Sequence, residues 1–172
     1  PDVEGAAIAS SVPLDIHGLP SRIFTLEGRG RVDEGYDEAL TNIVTPGYFA
    51  VMGIPIVGGT DFAPLLDTSA PQQAVVNEEF ARRYAAGGTV LGRRVTVRGG
   101  PAMIVGIVRT SLYNAFGEPP TPAIYFSYRD RPQERGEIHL RARAGSEVML
   151  ARSARGIVKE LDPELPVFNV RS

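Results

Sequence analysis

Hydrophobic and polar positions alternate in short runs along this chain, and glycine and proline cut the runs apart. Val3–Ser10 reads as a buried strand that ends near Pro13. In "RIFTLEG" Ile23, Thr25 and Glu27 alternate against Phe24 and Leu26, the period of two expected of a strand. Glu38–Thr45 is the next strand. It runs into "TPGYFAVMGIPIVGGTDF", where Pro46 suits a helix start because its missing N–H would lack a partner there anyway. Phe49 and Met52 are expected to bury together with Ile54 and Ile56. The Gly58-Gly59 pair permits a tight turn at positive φ. Every residue of this stretch has a packing or backbone reason, so it reads as a device that holds geometry and not as a site.

"AVVNEEFARRYAAGG" switches from strand to helix at Asn77, a good N-cap. Glu78 and Glu79 in the first turn and Arg82 and Arg83 in the last match the helix dipole. Phe80 and Tyr84, four apart, share a buried face, and Gly87-Gly88 stops the helix. "RRVTVRGGPAMIVGIV" predicts a hairpin about Gly99-Gly100, and the uniformly apolar Met103–Val108 predicts a central strand. "SLYNAFGEPPTP" is a long loop and "AIYFSY" a strand. "EIHLRAR" places Ile138, Leu140 and Ala142 inward and His139, Arg141 and Arg143 outward. A last helix runs from Glu147 to Leu161, capped by Ser146. Val148, Ala151, Ala154, Ile157, Val158 and Leu161 form its apolar stripe, while Arg152, Arg155 and Lys159 point away. Gly156 inside it suggests close backbone packing, and "LPVFNVRS" reads as a final strand. Strands predominate, helices are few and no regular βαβ alternation appears, so the fold class is α+β.

Composition narrows the function classes. At 43% hydrophobic residues the chain can bury a real core. Eighteen basic against twenty acidic residues leave a net charge of -2, which is no footprint for nucleic acid or an anionic membrane surface. The absence of cysteine removes disulfides, thiolate metal sites and cysteine nucleophiles. No apolar run approaches a membrane span. The abrupt opening in strand-like sequence reads as a piece of something longer.

Candidate chemistry is sparse. His17 follows Asp15 in a loop, and His139 stands between arginines; neither has metal-ligand spacing. Asp33, Glu34, Asp37 and Glu38 lack the alternation of a calcium loop and read as a solvated surface. There is no G-x-S-x-G elbow, and "GGTVLGRR" lacks the Lys-Ser/Thr of a phosphate loop. The residues offer no positive argument for an enzyme, a cofactor or a metal. Tyr113 and Phe116 are the candidates for partner contact, although aromatics in such a loop more often fold back onto the core.

"VTPGYFAVMGIPIVGGTDF", "AVVNEEFARRY", "LGRRV", "MIVGIV", "PPTPAIYFSY" and "LDPELPVFNVRS", in that order, resemble the MacB-like periplasmic core domain of ABC transporter permeases of the MacB/FtsX type. The resemblance covers nearly the whole chain. It implies two lobes: a Porter-like lobe from 1–45 and 135–172, and an inserted Sabre-like lobe, 46–134. It also implies a helix before the first strand that this sequence does not contain, which would leave the partner strands less well covered. The domain would lie outside the inner membrane, between membrane spans, and take no part in catalysis. It would relay conformational change driven by a cognate cytoplasmic ATPase, move against a second permease subunit or half, and contact an adaptor or substrate. As an isolated domain it is expected to be a monomer. The rival reading is a free-standing periplasmic module that binds a peptide, lipid or partner.

Overall fold

The computed structural model describes residues 3–13, 18–30, 35–113, 117–143 and 147–167. The strands are β1 (Val3–Ala9), β2 (Ser21–Ile23), β3 (Thr25–Leu26), β4 (Glu38–Val44), β5 (Ile56–Gly59), β6 (Gln73–Asn77), β7 (Arg94–Val97), β8 (Gly100–Val108), β9 (Ala123–Ser127) and β10 (Glu137–Ala142). The helices are α1 (Tyr48–Val51), α2 (Glu78–Tyr84) and α3 (Glu147–Leu161). This sheet-dominated α+β architecture is the one the hydrophobic pattern predicts.

The run through Phe24 is what closes the sheet. β2 pairs with β4, and two residues later β3 pairs with β7, both antiparallel. Between them the ladders run β4-β9-β6-β8-β7-β3, with β4–β9 and β6–β8 parallel. A chain segment that joins both ends of this path turns it into a closed barrel, in which β2 and β3 act as one broken stave. Closure removes exposed sheet edges.

Alternation along the staves then produces two cores. Leu26, Ala74, Val76, Val95, Val97, Ala102, Ile104, Ile124 and Phe126 point into the barrel, which α2 plugs with Phe80 and Tyr84. Phe24 packs on both of these rings, at 5.0 and 4.9 Å between centroids. Asn77 caps α2 as its sequence implies: its side-chain oxygen accepts from the Phe80 N–H at 2.9 Å. The opposite faces of the same strands, Leu40, Val44, Val75, Val108, Ala123 and Tyr125, build a second core with Tyr48, Phe49, Ile54, Phe62 and Tyr113. β9 lies between the two and is buried at every position.

β1 and β10 are attached to this body. They pair along their length, from Val3↔Ala142 to Ala9↔Glu137, whereas β1 meets β4 only at Ala9↔Val44. One face of the pair is open: Val3, Ile8 and Ile138 are exposed. β1 is therefore half-covered and not the buried strand its composition suggests.

Four further expectations are corrected. Gly58-Gly59 is the bulged end of β5, not a turn, and Gly59 (φ 68°) lies so close to β8 that an added Cβ would collide with the Val105 carbonyl. Ile56, in that edge strand, is exposed and does not join Phe49 and Ile54. In β10 two positions depart from the expected alternation: Ile138 is exposed and His139 is half-buried against Tyr48, whereas Leu140 and Ala142 are partly covered and Arg141 is exposed as expected. In α3 the stripe is only partly covered, with Ile157 and Leu161 exposed, and Gly156 faces open space instead of a packed backbone. The expected cap Ser146, most of the final strand and the loop carrying His17 lie outside the described residues.

A candidate junction between the terminal strands and the barrel

α1 is a single turn on the barrel's outer face. It starts after Gly47, whose φ of 85° a residue with a Cβ adopts reluctantly. Pro46 precedes that turn and sets the entry without belonging to the helix. The side chain of Asp61 returns from the far end of the same stretch and accepts the Gly47 N–H at 2.9 Å and its neighbour Phe62 N–H at 2.7 Å. "TPGYFAVMGIPIVGGTD" is thus tied into a closed corner by its own last acid, and it serves as the geometric device its composition implies.

This corner carries three buried tyrosines. Tyr48, Tyr113 and Tyr125 are each 1% exposed or less. The hydroxyls of Tyr113 and Tyr125 share a short hydrogen bond. Burial pushes Tyr113 up to about 12, partly offset by its hydrogen bonds with Tyr125 and Ser111. Burial also drives Tyr125 well above the phenol range and raises Tyr48. The Tyr48 hydroxyl has no hydrogen-bond partner.

β10 reaches α1 with two polar side chains. The His139 ring meets the Tyr48 ring edge-on at 5.7 Å, and its buried Nε2 has no partner. Arg141, two residues along and on the same face, donates to the Ala50 carbonyl at 2.8 Å, which also accepts the Gly53 N–H, and to the Val51 carbonyl at 3.4 Å, at the end of the helical turn. β1 closes the contact, since a Cβ at Gly5 would lie 2.9 Å from Val51 Cγ2. Nearby, Thr45 Oγ1 accepts the Ile8 N–H at 2.9 Å, and Asn42 accepts from Ser10 and donates to the Ser11 carbonyl.

Tyr113, proposed as a surface contact, folds back into this core, as loop aromatics commonly do. Phe116 lies outside the described residues, as do Asp33 and Glu34. Asp37 is paired with Arg29 at 2.7 Å, and Glu38 accepts from Ser21. Sequence reasoning missed Arg141 and misplaced His139, because strand parity does not say which face another element will cover. It also missed Arg129 and Asp130, whose buried pair at 2.7 Å fixes the loop before β6. Among the described residues, no three His, Cys, Asp or Glu side chains converge as metal ligands, and no helix is long and apolar enough to cross a membrane. An open groove of about 560 Å³ on the barrel wall is lined by Glu27, Arg94, Pro101 and Met103, and its ion pair is exposed.

A stiff barrel with a pair of terminal strands hung from it defines a sheet-built scaffold domain. The chain belongs to the MacB-like periplasmic core domain family, whose pattern matches residues 1–155. It is thereby an extracytoplasmic domain of a MacB/FtsX-like ABC transporter permease. Solved structures agree in fold. The periplasmic region of MacB from Actinobacillus actinomycetemcomitans superposes with a TM-score of 0.64 at 15% identity, covering 93% of this chain and 68% of that one. A domain of a putative permease from Porphyromonas gingivalis gives 0.62 at 20% identity over 100% and 80%. The extracellular domain of the noncanonical ABC-type transporter YknZ from Gram-positive bacteria gives 0.66 at 12% identity over 99% and 82%. No curated protein sequence matches.

Proposed function

We propose that this domain is non-catalytic and relays movement: the β1–β10 pair is displaced against the barrel when a cytoplasmic ATPase drives the permease. One observation carries this reading. The strand pair is joined to the barrel by a single ladder pair, Ala9↔Val44, a few side-chain bonds and the clamp of β10 on α1. A body of continuous ladders connected through so narrow a junction can re-pack at the junction while the barrel stays intact. In this reading the lobes of 1–45 with 135–172 and 46–134 share the barrel through the β4–β9 and β3–β7 ladders, and the movement takes place where the β1–β10 part of the first lobe meets that barrel. The domain works against a second permease subunit or half, in an efflux or export system at the inner membrane. Contact with an adaptor or substrate is made elsewhere than by Tyr113, whose ring is in the core. The barrel interior is filled by side chains, among them Phe24, Phe80, Tyr84 and Phe126, which favours a lever over a binding module.

The test introduces a cysteine pair into this domain, which has none of its own. Gly5→Cys with Val51→Cys places two thiols at the junction, close enough to bridge. In the full permease the oxidised pair should block transport while ATP hydrolysis continues, and reductant should restore transport. Full transport with the bridge formed would sink the reading.

A further inference from the structure

We propose that the contact between β10 and α1 is a proton-sensitive latch, closed while the His139 ring is neutral and opened when the ring takes up a proton. That it would regulate the movement rests on the reading above; the latch itself does not.

The geometry leaves the imidazolium poorly accommodated. His139 Nε2 is buried and without a partner, and the ring is wedged against Tyr48 of α1. In the imidazolium both ring nitrogens carry an N–H, so Nε2 must then be a donor, and a buried donor without an acceptor is costly. The charges facing the ring come from three elements. On β10 itself, Glu137 lies two residues before it and Arg141 two residues after it, on the same face. On β1, opposite, the charged residue is Glu4, which sits 3.9 Å from Arg141. On α1 the only titratable group is Tyr48, neutral at any physiological pH. Glu137 is the one anion that favours the charged ring, and burial outweighs it, so His139 is held below the ordinary histidine range.

The sign follows from proton counting. Between the folded and the unfolded titration the unfolded chain binds more protons, so stability rises with pH there. The penalty is absent above the ordinary histidine value. It grows as pH falls below that value and is complete below the folded one. Because His139 touches α1 and not the barrel interior, the penalty falls on the junction.

Three measurements on this chain decide the matter. NMR titration of the His139 ring should show it protonating below the ordinary value. On acidification from pH 8 to 5, the amides of Met52 and Ile54, which bond to Tyr48 and Phe49, should lose hydrogen-exchange protection before Val76 and Tyr125 do. The fall in Tm over the same range should shrink in His139→Gln and persist in His17→Gln, the other histidine. A ring that titrates at or above the ordinary value overturns the latch. So does an unchanged pH slope in His139→Gln, or simultaneous loss of protection across α1 and the barrel. Should His139→Gln fail to fold, the ring titration and the exchange order in the native chain still decide.

Discussion

Tyr113 and Tyr125 meet hydroxyl to hydroxyl in the core beneath α1, one from the loop after β8 and the other from the most buried strand. Tyr113→Phe leaves the Tyr125 hydroxyl without this bond, whereas Tyr125→Phe leaves Tyr113 its bond with Ser111. Tyr113→Phe should cost about 1–2 kcal/mol, the penalty of an unmade buried hydrogen bond, and Tyr125→Phe should cost less. The double variant should cost less than the sum, because neither hydroxyl is then left behind. Tyr48→Phe, whose hydroxyl has no partner, should be neutral or stabilising. A double-mutant cycle by urea unfolding reads all four states; additive losses would show that the pair is not coupled.

Asn77 does three jobs with one amide, at 0% exposure. It accepts from Phe80 N–H and Ala123 N–H, both at 2.9 Å, and donates to the Thr121 carbonyl at 2.8 Å. Its side chain thus caps α2 and ties the loop before β9 to β6. Asn77→Ala removes the cap and strands buried groups, and should cost about 3 kcal/mol by denaturant unfolding. Asn77→Asp keeps the acceptor but loses the donor and buries a charge, so it should not rescue fully. A loss no larger than that of an exposed cap would contradict this triple role.

Glu79 gives the domain an acid limit. Its carboxylate accepts from Arg82 at 2.7 Å and from Arg83, and these hydrogen bonds hold its pKa down at about 2 against burial. The unfolded chain binds this proton first as pH falls. The contribution is therefore present above the ordinary glutamate range and drains away between that range and about pH 2. Both arginines are largely exposed, so solvent screening limits the total to about 1–2 kcal/mol. Glu79→Gln should lower stability at pH 7 by that amount and flatten the acid side of the stability profile.

The antiparallel pairing of β5 with β8 depends on two glycines. A Cβ at Gly106 would strike the Thr60 carbonyl, and one at Gly59 the Val105 carbonyl, with positive φ adding strain at Gly59. Gly106→Ala and Gly59→Ala should each cost at least about 2 kcal/mol, as overpacking and backbone strain do. Proteolysis should then begin in the segment around β5. An alanine tolerated at both sites would mean that the strand can move aside freely.

The elements were largely legible in the sequence and their assembly was not. Asn77 with Glu78 and Arg82 announces α2, and the apolar runs announce β8 and β9, because caps, dipoles and burial on both faces are local properties. Closure of the barrel rests on Phe24, where the chain leaves β4 for β7, and nothing in a period-two pattern says that one run serves two ladders. The candidate junction was hidden for a related reason. Ile138 looks like the inward residue of β10, but α1 covers the other face, so His139 and Arg141 carry the contact. Burial in a strand appended to a barrel depends on what packs over it, which the strand itself does not encode.

Arg129 and Asp130 stand side by side after β9, both nearly buried and paired at 2.7 Å. Arg129 donates to the Asp67 carbonyl at 3.0 Å and the Pro71 carbonyl at 2.6 Å, while Asp130 accepts the Gln73 N–H at 2.9 Å. The pair thus pins both ends of the 67–73 segment to the barrel. Asp130→Ala would leave the guanidinium buried without its counter-charge and the Gln73 N–H without an acceptor. Breaking such a pair from one side should cost about 3–5 kcal/mol. Replacing both residues with apolar ones of similar volume should cost less, because no unpaired charge remains, although the loop loses its anchors. Urea unfolding gives the energies, and limited proteolysis within 67–73 reports the anchoring separately. A double variant that keeps stability while its loop is cut faster would show that the pair serves loop position more than net stability. Equal losses in the single and double variants would instead place the whole effect in the backbone bonds.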